Sequence, residues 1–329
     1  MHVSALVWVV TCAVIIGLFV FDFYAHVRTP HEPTFKESAG WSAVYIGLAV
    51  LFGLVVYWQW GGAYAGEFYA GFITEKSLSI DNLFVFVIIM ARFAVPKIYQ
   101  QKVLLFGIVI ALVLRGAFIA VGAAAINAYS WVFYLFGAFL VFTAVKLARD
   151  AGHEPDTEAK RDSRLVAMVK SKLPTTDVYD GGKMITRVGG RRVLTPMMVA
   201  LVVIGFTDVL FALDSIPAIY GLTQEAYLVF TANAFALMGL RQLYFLLGGL
   251  LDRLVYLSYG LALILAFIGA KLVLHALHEN TLPFINGGEH VAVVDIPTSV
   301  SLVVIIGVLA VTTVASLIKS RPRTRTPAS

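Results

Sequence analysis

Residues 74–84 read TEKSLSIDNLF, and residues 207–217 read TDVLFALDSIP. Each stretch sets ionisable groups into sequence that is otherwise apolar. GFIT leads into the first and VFVIIM follows it; GFT leads into the second. In both, two carboxylates stand six residues apart: Glu75 with Asp81, and Asp208 with Asp214. The next apolar segment in each case carries one arginine, Arg115 in LVLRGAF and Arg241 in LMGLRQLYF. The third ends near one lysine, Lys146 in FLVFTAVKLA and Lys271 in ILAFIGAKLV. Matched positions differ by 133, 133, 126 and 125 residues, so one gap of seven and one further residue bring all four into line. A unit of three apolar segments is therefore used twice, over about residues 66–148 and 196–276. Three is odd, so the second copy enters a membrane from the opposite side. That is the inverted repeat found in many secondary transporters.

The composition places these segments in a lipid bilayer. Of 329 residues, 59% are hydrophobic and 14% charged, with mean hydropathy +0.84. Soluble domains carry about 25% charged residues. Nine apolar segments can cross a hydrocarbon layer of about 30 Å. They run over about 3–23, 41–60, 68–92, 101–124, 129–148, 196–220, 226–249, 254–276 and 298–318. The expected fold is an all-α polytopic membrane protein, residues 1–329 forming a single transmembrane domain with segments one, two and nine peripheral to the repeat. The first segment has no basic stretch before it and no small-residue cleavage site, so it reads as a helix rather than a signal peptide.

Basic residues sort to one side. Loops after odd-numbered segments hold Arg28 and Lys36, then Arg92, Lys97 and Lys102, then ten between Arg149 and Arg192, then Arg253, then Lys319, Arg321, Arg323 and Arg325. Loops after even-numbered segments hold none. Lys/Arg-rich loops face the cytoplasm, which predicts an outside N-terminus, a cytoplasmic C-terminus and a cytoplasmic loop over 149–195. It also accounts for the pI of about 9.2 without nucleic acid as a partner; the tail RPRTRT suits anionic lipid headgroups. The 149–195 loop reads as a flexible connector with one short amphipathic helix near 165–173.

The carboxylates need a partner or a purpose, because a charge at the bilayer centre costs about 2.5–3.5 kcal/mol. One reading is structural: Glu75 with Lys76, Asp81 with Arg115 and Asp214 with Arg241 as buried ion pairs. Such pairs often only break even against apolar replacements. Their repetition in both halves favours a shared ion site instead. Six residues on a helix give about 240° of net rotation and about 9 Å of rise, so Glu75 and Asp81 do not share a face, whereas Glu75, Ser79 and Asn82 do. Pro217 removes a donor and can loosen the second motif. The simplest geometry brings Asp81 and Asp214 together across the pseudo-twofold axis, with Asn82 and Ser215 adding neutral oxygens and Glu75 and Asp208 forming an outer set. Arg115 and Arg241 serve as counter-charges when the site is empty, with Lys76, Lys146 and Lys271 as further compensating charges. An all-oxygen donor set suits Mg²⁺, Ca²⁺ or Mn²⁺ rather than Cu⁺ or Zn²⁺.

At these residues the chain resembles the TerC family of integral membrane proteins. The resemblance rests on TEKSLSIDNLFVF (74–86), LRGAF (114–118), YLFGAFLVFTAVK (134–146), DVLFALDSIPAIYG (208–221), ANAFALMGLRQLYFLL (232–247) and YGLALILAFIGAK (259–271). It implies an inner-membrane protein of the LysE-like transporter superfamily, linked to export of manganese and related divalent cations. It carries the family's acidic motifs onto Glu75, Asp81, Asn82, Asp208, Asp214 and Ser215. The loops 149–195 and 277–297 match no family pattern.

Other features point less far. His275, His278 and His290, with Glu279, Glu289 and Asp295, read as a solvated outer loop before a metal-collecting rim. YWQW (57–60) reads as an interfacial aromatic belt. Gly107, Gly116, Gly122, Gly239 and Gly248 read as close-packing positions. The single cysteine, Cys12, leaves one chain without a disulfide or a thiolate metal site. No phosphate-binding GxxxxGK, nucleophile-elbow, CxxC or HExxH pattern occurs, so catalysis is not expected and no permanent cofactor is implied. The functional expectation is export of a divalent cation, Mn²⁺ first, possible coupling to protons included. The alternative is a membrane-embedded partner for metal loading or insertion of other proteins, without transport of its own.

Overall fold

The computed structural model describes residues 1–27, 31–129, 131–150, 174–247, 256–280, 293 and 296–319, apart from the side chains at positions 81, 84, 127 and 150. Helix α1 (Ala5–Asp22) runs into a π-helical turn, Phe23–Val27. Then come α2 (Phe35–Trp60), α3 (Gly62–Arg92), α4 (Lys97–Ala128) and α5 (Val132–Asp150). A hairpin of β1 (Ile185–Val188) and β2 (Arg191–Leu194) precedes α6 (Pro196–Tyr220), α7 (Ala226–Leu237), α8 (Leu240–Leu247), α9 (Leu257–Glu279) and α10 (Thr298–Lys319). The chain is a polytopic all-α membrane protein.

Local signals set the helix starts. The Ser4 hydroxyl accepts from the Val7 amide at α1, and Thr34 accepts from Glu37 at α2, which begins six residues before the expected 41. Pro196 opens α6, where a missing N–H costs nothing. Gly61 alone separates α2 from α3, at φ 99°.

Among the described residues, seven helices are long and apolar enough to cross a membrane: α1, α2, α4, α5, α6, α9 and α10. Helix α3 has 31 residues, but Glu67, Glu75, Lys76, Asp81 and Arg92 make it too polar to count by hydropathy. The expected seventh segment, 226–249, is not one helix. It breaks between α7 and α8, where Met238 is extended at ψ 135° and Gly239 takes φ +77°. That left-handed conformation is one glycine adopts without steric penalty. Pro217, by contrast, lies within α6 and does not interrupt it.

Helix α6 is largely buried, whereas α1 and α10 keep most residues on the outside. Between the two halves, the main pairings are α5 with α9, α3 with α7, α4 with α6, α3 with α6 and α4 with α7. Exchanging α3, α4 and α5 with α6, α7 and α9 leaves that set unchanged, as a twofold relation between halves requires. At the α5–α9 crossing, a Cβ on Gly137 would lie 2.8 Å from the Gly269 carbonyl oxygen. One on Gly269 would lie 3.0 Å from the Gly137 carbonyl oxygen. The two backbones touch there, the close approach through which helices associate in lipid.

The 149–195 connector holds more structure than expected. Val188 and Arg191 pair across Gly189 and Gly190, whose φ values of +57° and +79° make a two-residue turn that matches strand twist. The amphipathic helix expected near 165–173 lies outside the described residues.

Candidate functional site

Helix α3 presents Glu75, Ser79 and Asn82 on one face, all buried. Helix α6 presents Asp208 and Ser215, also seven residues apart and buried. Between them α4 inserts Arg115, which is fully buried. Its Nε and Nη2 each donate to one oxygen of Asp208 at 3.0 Å, a bidentate pair. Nη1 donates to Oε1 of Glu75 and reaches Ser215 Oγ at 3.4 Å. Ser79 Oγ donates to the same Glu75 oxygen at 3.3 Å. The other, Oε2, is buried and has no hydrogen-bond partner among the described residues. Asp214 is partly buried and within electrostatic reach of Arg115 and Glu75.

Glu75 and Asp208 occupy matched positions of the two repeats. The structure thus brings together the pair expected to form the outer set. They share one guanidinium between two carboxyl groups. The axis pair cannot be read in the same way: the Asp81 side chain lies outside the described part of the structure, so both its meeting with Asp214 and its pairing with Arg115 do too. Among the described residues, no group of three or more His, Cys, Asp or Glu side chains is placed to hold a metal ion.

Two expected ion pairs do not form. Lys76 turns away from Glu75, because neighbouring residues on a helix point about 100° apart. Its Nζ donates to the carbonyls of Ala236 at 2.9 Å and Met238 at 3.0 Å. These are the carbonyls left open where α7 ends, and a cation there suits the helix dipole. Arg241 does not meet Asp214. The break at Met238–Gly239 redirects α8, and Arg241 donates to Asp22 of α1 at 2.7 Å and to Gln101 of α4 at 2.7 Å. Asp22 also accepts from the Tyr45 hydroxyl at 2.6 Å.

The matched lysines diverge as well. Lys146 is exposed at the end of α5, while Lys271 is partly buried and donates to Ser301 at 3.3 Å. Lys271 lines a cavity of about 360 Å³ with Glu67, Thr223, Glu225 and His275. There Thr223 donates to Glu67 at 2.6 Å, and Gln224 and His275 are 2.8 Å apart. His278 lies 3.5 Å from Glu279. His290, Glu289 and Asp295 lie outside the described residues.

Sequence reading passed over three groups: Asp22, Glu67 and Asn233. Each is a polar residue inside an apolar run, which was the available signal. Asn233 is fully buried on α7.

A bundle of membrane-spanning helices wrapped around a buried, arginine-bridged carboxylate pair defines the class of protein. The profile of the integral membrane protein TerC family matches residues 60–324, and the chain belongs to that family. It is 50% identical over 324 residues to an uncharacterized membrane protein of Mycobacterium tuberculosis, covering 98% of this chain and 82% of the relative. It is 38% identical over 314 residues to an uncharacterized membrane protein of Myxococcus xanthus, covering 95% and 92% of the two chains. It is also 38% identical over 293 residues to Alx of Escherichia coli, covering 87% and 85%; the name of that protein carries a proposed role as a membrane-bound redox modulator. No solved structure matches the chain.

Proposed function

We propose that the protein exports a divalent cation, Mn²⁺ first, from the cytoplasm, exchanging it for protons at carboxylates shared by the two halves. One observation carries this reading: Glu75 and Asp208, from matched positions of two repeats, converge on a single buried arginine. A carboxylate surplus deep in a membrane bundle marks an ion pathway rather than a packing device. Arg115 takes the place of the substrate ion. An arriving dication competes for the same oxygens, and its double charge satisfies Glu75, Asp208 and Asp214 better than one guanidinium does. Ser79, Ser215 and Asn82 add neutral oxygens, a hard donor set suited to Mn²⁺, Mg²⁺ or Ca²⁺. Protonation of any of the carboxylates weakens the hold on the ion, which links release to proton uptake. The family resemblance favours Mn²⁺ among these.

The basic loops support an inner-membrane location with the N-terminus outside and the C-terminus in the cytoplasm. A transporter of this kind needs no catalytic group and no resident cofactor.

The second reading is a membrane-embedded partner in metal loading or insertion, without transport. The bidentate hold of Arg115 on Asp208 favours it, since a buried charge pair can be purely structural. A redox role such as Alx is named for would reach this chain through the cation it handles, because a single cysteine provides no dithiol.

The test is Mn²⁺ entry into proteoliposomes loaded with a metal-quenched dye. The wild type is expected to move the ion. The charge-neutral pair Glu75→Gln with Asp208→Asn, confirmed as monodisperse, is expected to lose roughly tenfold or more of that flux, the scale on which metal sites respond to lost partners. A wild type that moves nothing, or a folded variant with unchanged flux, sinks the exporter reading.

A further inference from the structure

Asn233 is the most anomalous buried group in the bundle. It is fully buried in the middle of α7, and neither its Oδ1 nor its Nδ2 has a hydrogen-bond partner among the described residues. On α3, Thr74 Oγ1 and Glu75 Oε2 are in the same condition. Neighbouring polar groups are not. Thr231, two residues before Asn233, donates to the Tyr227 carbonyl at 2.8 Å, and Lys76, next to Glu75, is held by two carbonyls. A buried amide without a partner is rare and costly, more so in a lipid-embedded bundle that no bulk water reaches.

Two contacts bracket the place. A Cβ on Gly71 would lie 3.3 Å from the Ala232 Cβ, and Lys76 Nζ lies 2.9 Å from the Ala236 carbonyl oxygen. Thr74 and Glu75 fall between these contacts on α3, and Asn233 falls between them on α7. The three unpartnered groups therefore fall within the stretch of the α3–α7 contact that these two points mark. Helix α4 closes the third side: a Cβ on Gly116 would lie 3.7 Å from the Phe230 ring. Arg115, beside Gly116, engages Glu75 through Oε1 alone and leaves Oε2 open.

We infer that Asn233 and Thr74 are neutral oxygen ligands of the transported cation, acting with Glu75 Oε2 on the α3–α7 seam. This inference rests on the reading of the protein as a divalent-cation exporter. Amide and hydroxyl oxygens fill coordination positions without adding charge. A hard cation taking six or more oxygens can thus be dehydrated at the site without a further buried carboxylate. It also gives α7 a part in the site: the helix that ends at the Met238–Gly239 break holds the ion just before that break.

The experiment uses the purified full chain, with thermal unfolding measured with and without Mn²⁺, and Mn²⁺ flux in proteoliposomes. Asn233→Leu removes the unpartnered amide and keeps its branched shape of four side-chain heavy atoms. Its cation-free Tm is expected to rise by about 2 °C or more, while the Mn²⁺-induced rise in Tm disappears and flux falls roughly tenfold or more. Thr74→Val is expected to change the same readouts in the same directions by less. A lower cation-free Tm for Asn233→Leu would mean that the fold itself satisfies the amide, and overturns the inference. So does a wild-type Mn²⁺ response in Asn233→Leu when the Glu75→Gln, Asp208→Asn pair has lost it; the exporter reading then stands. A wild type that shows neither Mn²⁺-dependent stabilisation nor flux removes the exporter reading and this inference together.

Discussion

Arg115 and Arg241 hold matched places in two copies of one three-helix unit, yet they do different work. Arg115 lies in the middle of a continuous helix, α4, and bridges a carboxylate from each half. Arg241 lies four residues past the end of α7, beyond a break, and is tied to Asp22 of α1, a helix outside the repeat. Only one guanidinium can fill the space between Glu75 and Asp208. Once Arg115 occupies it, its counterpart must be taken elsewhere, and the Met238–Gly239 break does this. The two copies of the unit carry one arginine each, and of these Arg115 lies between Glu75 and Asp208. The second became a tether between the repeat and the peripheral helices, with Gln101 of α4 and Tyr45 of α2 completing its surroundings.

The contrast can be broken most directly at Arg115. Arg115→Leu strands two buried carboxylates and is expected to cost about 3–5 kcal/mol, read as a large fall in apparent Tm in detergent. Adding Glu75→Gln and Asp208→Asn should restore most of it; failure to restore would mean that the side chain packs rather than pairs. Arg241→Leu is expected to cost less, about 1–3 kcal/mol, because Asp22 keeps the Tyr45 hydroxyl and the Gln242 amide. A double-mutant cycle with Asp22→Asn checks this, and a coupling near zero would dissolve the tether. The smallest effect falls at the break itself. Gly239→Ala puts a side chain at φ +77°, with its Cβ 3.1 Å from that of Tyr45. The expected loss is about 1–2 kcal/mol, again read from Tm. An unchanged Tm would show that α7 and α8 can join in a conformation that needs no glycine.

The sequence was most legible where the membrane dictates the answer. Long apolar runs and the spacing of Glu75, Asp208, Arg115 and Arg241 revealed the segments and the repeated unit, because hydrocarbon thickness and backbone satisfaction leave few alternatives. The face shared by Glu75, Ser79 and Asn82 also followed from helical periodicity. Which carboxylates pair did not follow, because pairing depends on the depth and rotation of packed helices, and no single helix encodes these. The break at Gly239 was hidden because AFALMGL (234–240) is apolar throughout; one glycine in such a run reads equally well as a packing position. Asp22 was overlooked for a related reason. It closes the first segment, where a charge is ordinarily assumed to face water, and its partner lies 219 residues away. The hairpin at 185–194 was masked by the charged residues around it, although Gly189–Gly190 between short β-prone runs was a usable turn signal.

The single residue joining α2 to α3 constrains how the bundle can move. One residue spans about 3.6 Å, so the Gly62 end of α3 cannot swing further than that without pulling α2 along. Any alternation between inward and outward openings that tilts α3 must therefore turn the hairpin of α2 and α3 as a single lever, with its fulcrum at Gly61.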